Sequence, residues 1–145
     1  MTDRFLHATF CDDIRFEMGN KFSLMGIYYD YIALDFLPTY LARFCAHAAA
    51  ITPVDRPFQK LTIQLLLNHT VVQELQLPPD QLAMRADRTE LSTPSRLQGF
   101  GGNLVVSPLY IAGPGEITVQ AITEEGILKG PRLAVVDGAA DRSRQ

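Results

Sequence analysis

The sequence predicts an all-β protein, an antiparallel β-sandwich that is immunoglobulin-like in general shape, with room for one short helix. Short segments in which apolar and polar residues alternate recur along the chain, and turn-forming residues separate them. The 145 residues, 47% of them hydrophobic and 20% charged, are enough to bury one core. We therefore expect a single sandwich domain over residues 1–136. The small and polar residues 137–145 are expected to form a flexible C-terminal tail.

The first predicted element is a β-hairpin over residues 10–28. Apolar and polar side chains alternate from Phe10 to Met18, as in a half-buried strand. Gly19 and Asn20 tolerate the positive φ angles that a tight turn requires. Residues 21–28 then form the returning strand.

Two more hairpins are predicted, one formed by residues 61–67 and 71–77 and the other by residues 117–122 and 127–128. A last strand is predicted over residues 132–136. Equivalent residues of these two hairpins lie 56 positions apart, for example Leu61 and Ile117. Either an ancient duplication or convergence of two amphipathic hairpins explains this similarity. We favour convergence, because a repeat architecture needs several copies to bury a continuous core.

Two segments fit more than one element. In residues 37–51 the alanines and the spacing of Leu41, Phe44 and Cys45 suit a helical face, whereas the flanking turns suit a strand of small side chains. Residues 79–88 begin with a proline and place apolar residues on one side, which is typical of a short helix.

The best-defined motif of the chain also resembles a known family. The motif begins with Cys11-Asp12-Asp13-Ile14-Arg15 and continues with Gly19, Lys21, Ser23, Leu24, Gly26, Ile27 and Tyr28. Together with 52–58 and the turn at 113–115, it resembles a family of small uncharacterised bacterial proteins that carry one domain of unknown function. The resemblance implies a compact β-sandwich and assigns no activity, cofactor or catalytic residue.

Charge and composition argue against several classes of function. Thirteen basic and sixteen acidic residues give a net charge of −3, which offers no bulk attraction to nucleic acid or to an anionic membrane surface. The N-terminal residues lack the long apolar core of a signal peptide, so the expected location is the cytoplasm. In that reducing compartment, Cys11 and Cys45 are expected to be two buried thiols rather than a disulfide.

Asp12 interrupts the alternation of the first strand. In an ideal strand Asp12 shares the apolar face of Phe10 and Ile14, while Asp13 and Glu17 lie on the solvated face with an arginine. A carboxylate on an apolar face needs a hydrogen bond, an arginine or a cation. We favour a hydrogen-bonded structural role, and the alternative is a calcium or magnesium site formed by Asp12, Asp13 and Glu17.

The histidines and cysteines of the chain are not expected to form a zinc site. His7 and Cys11 are four residues apart on a strand, about 13 Å, which is too far to share a zinc ion, and Cys45 with His47 is more simply a buried thiol beside an ordinary histidine. The sequence lacks a nucleophile elbow and a phosphate-binding loop, and no cofactor is expected.

Aromatic residues are concentrated in one short region that contains Tyr28, Tyr29, Tyr31, Phe36, Tyr40 and Phe44. Such residues mostly belong to a core, but tyrosines are also common at protein interfaces. We therefore predict a non-enzymatic module that binds a protein partner or itself, with Tyr28, Tyr29, Tyr31 and Tyr40 as candidate contact residues. The alternative is a small-ligand or cation-dependent enzyme centred on Asp12, Asp13 and Glu17.

Overall fold

The computed structural model describes residues 4–83 and 96–139, and β-strands dominate these ranges. The strands are β1 (Phe5–Glu17), β2 (Lys21–Ile27), β3 (Tyr31–Leu34), β4 (Thr39–Leu41), β5 (Phe44–Pro53), β6 (Leu61–Leu67), β7 (Thr70–Leu77), β8 (Leu97–Val106), β9 (Leu109–Ile111), β10 (Gly115–Thr123) and β11 (Gly126–Asp137).

Two sheets pack face to face. The first has the strand order β2-β1-β5-β8 and the second has the order β3-β11-β10-β6-β7, while β4 and β9 form a separate two-stranded sheet. Among the described strands, only the pairing of β3 with β11 is parallel. This arrangement confirms the predicted all-β, mostly antiparallel sandwich.

The predicted hairpins are present, and the first turn has the predicted positive φ angles. Gly19 and Asn20 have φ angles of 85° and 58°, and His69 and Gly126 occupy the same left-handed half of φ space in the other two turns. The strands predicted over 127–128 and 132–136 are one continuous strand, β11. Pro131, which cannot donate a hydrogen bond, lies beside the register shift in the pairing with β10.

The ambiguous segment 37–51 is extended rather than helical. Within β5, Ala46, Ala48 and Ala50 face the core in alternation, which matches the period of a strand. The backbones of β5 and β8 also approach closely, because a Cβ atom added to Gly101 would lie 1.9 Å from the carbonyl oxygen of Ala48. Of the two predictions for this segment, the strand of small side chains is the one that the structure confirms.

Helix is confined to short stretches of the described chain. Residues 79–83 are helical, and the rest of the helix predicted over 79–88 lies outside the described residues. Asp137 still belongs to β11, and residues 140–145 of the predicted tail also lie outside them. Within the described ranges, none of the helical stretches has the length and apolar character needed to cross a membrane.

The main core fills the space between the two large sheets. Alternate residues of the facing strands contribute to it, and its largest fully buried side chains are Phe44, Phe100, Leu61, Ile63, Leu65, Leu82, Leu104, Ile111, Ile117, Leu133, Val119 and Val135. Every second side chain of β6 and β10 points inward, as expected for strands with one face on a core.

The two similar hairpins lie side by side in the second sheet. Their first strands pair antiparallel, with Gln64 directly opposite Gln120 and their side chains joined by a 2.8 Å hydrogen bond. Leu61 pairs with Thr123, and Leu67 pairs with Ile117. Adding 56 to the numbers of Leu61 and Leu67 gives Ile117 and Thr123, so a local twofold axis through the Gln64–Gln120 pair exchanges the two strands.

The first hairpin folds back over the outer face of the first sheet. On β1, Thr9 pairs with His47 of β5, and Phe16, seven residues after Thr9, pairs with Phe22 of β2. In a straight strand, residues seven positions apart are separated by about 23 Å. The rings of Phe22 and His47 nevertheless have centroids 5.4 Å apart. Strand β1 must therefore bend sharply before the hairpin tip.

The bend creates a second, smaller core. Cys11 and Ile14 belong to one buried cluster although they are three residues apart, so the strand alternation is interrupted between them. The prediction that Ile14 shares the face of Phe10 is wrong for this reason, because Phe10 belongs to the main core.

Candidate functional site

Asp12 and Asp13 of β1 lie at the bend, where they accept hydrogen bonds from other groups of the chain. The carboxylate of Asp12 accepts a hydrogen bond from the hydroxyl of Tyr28. Asp13 Oδ1 accepts the Arg43 Nε–H at 2.7 Å and the backbone N–H of Ile14 at 2.9 Å. Both carboxylates therefore hold neighbouring segments of the chain at the base of the hairpin.

Glu17 lies apart from this pair, at the far end of the hairpin arm. Its carboxylate is 3.8 Å from the guanidinium of Arg15, and residue 17 lies opposite Lys21 in the pairing of β1 with β2. In the part of the chain that the structure describes, no three His, Cys, Asp or Glu residues form a group able to hold a metal ion. The structure thus does not gather Asp12, Asp13 and Glu17 into one cation-binding geometry.

The side chain of Asp12 also leaves room only for a glycine at position 26. Gly26 has a φ of +69°, and a Cβ atom added to it would lie 2.3 Å from Asp12 Oδ2. The side chain of Asp12 occupies the space in front of Gly26 while it accepts the hydrogen bond from Tyr28. The position therefore needs glycine for two reasons, its backbone angle and the absence of a side chain.

Cys11 and Cys45 meet beside the acidic residues. They are direct partners on β1 and β5, and both are buried free thiols. Burial, followed by the neighbouring Cys45 and Asp12, raises the pKa of Cys11 from 9.0 to about 11. Burial also raises the pKa of Cys45, although Arg43 partly offsets the effect there. Both thiols are therefore protonated at neutral pH.

His47 takes part in packing. Its Nδ1 is hydrogen-bonded to Asn103 Oδ1 at 2.7 Å, and Phe22 from the folded-back hairpin packs on its ring. These contacts give it a structural role on the outer face of the first sheet.

The tyrosines of the aromatic region divide into two groups. Tyr28 is half-buried and stacks on Phe44, with ring centroids 5.9 Å apart. Burial and then the hydrogen bond to Asp12 raise its pKa far above the usual value. Tyr28 therefore serves the interior and the bend, and it is the least accessible of the four candidate contact residues.

The other three candidates are exposed, and the structure adds a fourth tyrosine. Tyr29, Tyr31 and Tyr40 are 93%, 54% and 65% exposed. Tyr40 on β4 pairs with Tyr110 on β9, and their ring centroids are 4.9 Å apart. We refer to Tyr40 and Tyr110 as the tyrosine surface. The sequence interpretation missed Tyr110 because it stands between two apolar residues, Leu109 and Ile111, and so shows no alternation with a polar neighbour.

The tyrosine surface lies near the start of β5. Tyr28 stacks on Phe44, the first residue of β5. Tyr40 precedes Phe44 by only four residues. The hydroxyl of Ser107 donates to the carbonyl oxygen of Ala42 at 2.8 Å and ties β9 to the same region.

A buried arginine is the polar feature that the sequence interpretation missed most completely. Arg4 donates to Thr52 Oγ1 at 3.0 Å, to the carboxylate of Glu124, and to the carbonyl oxygens of Arg56 and Pro57 at 3.1 Å. Its guanidinium also lies 4.4 Å from the centroid of the Phe58 ring. These partners, 48 to 120 positions away, carry no local signal in the sequence.

Comparison of the chain with protein-family models, with curated proteins and with solved structures found no match in any of the three. The resemblance of the Cys11–Arg15 motif to the bacterial family stays a prediction.

Proposed function

We propose that this protein is a non-enzymatic binding module that contacts a second copy of itself or another protein through the tyrosine surface. The observation that carries the proposal is the exposed pair of Tyr40 and Tyr110, whose rings contact each other across two strands with centroids 4.9 Å apart. Tyrosine gives a large contact area with a polar hydroxyl, and few of its torsions must be immobilised on binding.

The surroundings of the pair suit an interface. Strands β4 and β9, residues 39–41 and 109–111, contain no charged residue. Charged residues are depleted at the centre of protein interfaces, whereas tyrosine is enriched there. Pairing of the two strands holds both rings in place before a partner arrives, so little order has to be gained on binding.

The cation-dependent or small-ligand enzyme centred on Asp12, Asp13 and Glu17 has less support. A cation at this position must compete with the hydroxyl of Tyr28 at Asp12 and with the guanidinium of Arg43 at Asp13. Titration calorimetry of the wild type with Ca²⁺ and Mg²⁺ tests this alternative, which requires saturable heat that Asp12→Asn abolishes.

Self-association is tested by sedimentation velocity of the wild type and of a Tyr40→Ser/Tyr110→Ser double variant over a wide range of concentrations. The wild type is expected to shift from monomer to oligomer, and the double variant to need at least about tenfold higher concentration. The control is Ile127→Ser, which changes an exposed apolar residue at the start of β11 and should behave as the wild type.

If the wild type is monomeric throughout, capture experiments with immobilised protein test the heterotypic form of the proposal. A partner retained by the wild type and by Ile127→Ser, but lost with the double variant, supports it. A wild type that neither associates nor retains a partner refutes the proposed function.

A further inference from the structure

The two cysteines have a backbone geometry suited to a disulfide. Cys11 and Cys45 are directly opposite on adjacent antiparallel strands, where Cα atoms lie about 4.5 to 5.5 Å apart. Disulfides span Cα separations of about 4.4 to 6.8 Å. Both side chains belong to one cluster, so they project from the same face of the sheet. Their sulfur atoms can therefore meet without rearrangement of the strands.

The cover over this pair is small and local. Cys11, Cys45 and Val105 form a row across β1, β5 and β8, and the cross-strand pair of Ile14 and Leu24 packs against it. Ile14 and Leu24 belong to the hairpin that folds back over the sheet. The main core lies on the opposite face of the sheet, so the hairpin can lift without opening the sandwich.

We propose that Cys11 and Cys45 are a redox modification site, at which a small two-electron oxidant forms a cross-strand disulfide between β1 and β5. The oxidant is a peroxide or a low-molecular-weight disulfide that enters when the hairpin lifts. The site is independent of the tyrosine surface, so either proposal can fail alone.

Either oxidant can form the disulfide in two steps. Hydrogen peroxide converts one thiol into a sulfenic acid and releases water, and the second thiol condenses with it and releases another water. With a small disulfide, one thiolate attacks a sulfur and releases a free thiol. The second cysteine then displaces the other small thiol from the mixed disulfide. In each route the two cysteines lose two protons and two electrons.

Both thiols have the same charged neighbours. Burial raises the pKa of Cys11 and of Cys45, and the carboxylates of Asp12 and Asp13 act in the same direction at both thiols. The guanidinium of Arg43, which donates to Asp13 Oδ1 at 2.7 Å, offsets part of the effect at Cys45. Either cysteine can react first once the hairpin lifts, and the resulting disulfide is the same.

The first test uses the folded wild type with oxidised glutathione and, separately, with hydrogen peroxide. We expect the intact mass to fall by two hydrogens, a non-reducing peptide map to join Cys11 to Cys45, and the melting temperature to rise by roughly 5 to 10 °C. Dithiothreitol should reverse all three changes, and Cys11→Ser and Cys45→Ser should show none of them. A stable glutathione adduct, a covalent dimer, or two unreacted thiols would each overturn the proposal.

The second test asks whether the hairpin is the cover. Leu24→Ala removes packing above the cysteines and should accelerate disulfide formation about tenfold. Leu77→Ala is the matched control, since this half-buried leucine packs on the main core instead. Equal rates for the two variants would show that oxidation needs global unfolding and would overturn the site.

Discussion

Arg4 shows how much a single buried charge can organise. Its side chain is only 3% exposed and joins the start of β1 to the turn before β11 and to the segment after β5. Arg4→Met leaves the carboxylate of Glu124 and two carbonyl oxygens without this donor, so we expect a loss of about 3 kcal/mol in the free energy of unfolding. Urea denaturation measures it. The control is Arg132→Met, which removes a 76% exposed arginine from its ion pair with Glu116 and should cost less than about 0.5 kcal/mol.

The same contact predicts a dependence on pH. Burial by itself raises the pKa of Glu124. The hydrogen bonds that its carboxylate accepts from Arg4 and from the backbone N–H groups of Gln59 and Lys60 lower the pKa by more, so the net pKa is below the usual 4.5. A carboxyl with a lowered pKa contributes stability above its unfolded pKa and loses it as the pH falls through the folded value. The difference in stability between wild type and Arg4→Met should therefore shrink as the pH falls below about 4.5. If the difference in the free energy of unfolding between the two proteins stays constant until Glu124 is fully protonated, this role of Glu124 is contradicted.

Cys11 predicts the opposite dependence on the alkaline side. Its pKa is raised from 9.0 to about 11, so the folded state favours the protonated thiol. This contribution is complete below pH 9 and is lost as the pH rises through about 11. Urea midpoints of the wild type should therefore decline more steeply above pH 9 than those of Cys11→Ala. Because the pKa of Tyr28 is raised as well, Tyr28→Phe measured in parallel separates the two contributions.

At the scale of the element, the first hairpin depends on two glycines with different surroundings. Gly19 has a positive φ and nothing within 4 Å of an added Cβ, so Gly19→Ala should cost about 1 kcal/mol from backbone strain alone. At Gly26 an added Cβ also collides with the side chain of Asp12, and Gly26→Ala should cost about 3 kcal/mol. Chemical denaturation compares the two variants. Equal losses would show that Asp12 moves away easily and does not hold the bend.

At the scale of the whole molecule, Phe44 connects the main core to the bend. It is fully buried, and its ring packs against Phe10 and Tyr28. Phe44→Ala should cost about 4 kcal/mol, and fluorescence and circular dichroism should still report one coincident transition. The control is Phe36→Ala, whose ring is 81% exposed, with an expected change below about 0.5 kcal/mol. Similar losses for both variants would refute the assignment of Phe44 to the core.

Features that depend on neighbouring residues were accessible from the sequence. The two-residue period of β6 and β10 and the positive φ angles at Gly19 and Asn20 are local properties, since side-chain direction and turn geometry are set within a few residues. The sandwich and its hairpins followed from them. The same local pattern failed at Asp12, because the bend there depends on Tyr28, Arg43 and Gly26, which approach from other segments.

The pairings that define the candidate sites come only from the tertiary structure. Cys11 meets Cys45, Tyr40 meets Tyr110 and Arg4 meets Glu124 across 34 to 120 positions of sequence, and each meeting depends on how strands that are distant in sequence are arranged. Residue pattern determines which face of a strand is apolar, and so it determined that this chain forms a sandwich. Which strand lies beside which, and which side chains thereby become partners, is decided by burial of the whole core, a cooperative property that no short segment contains.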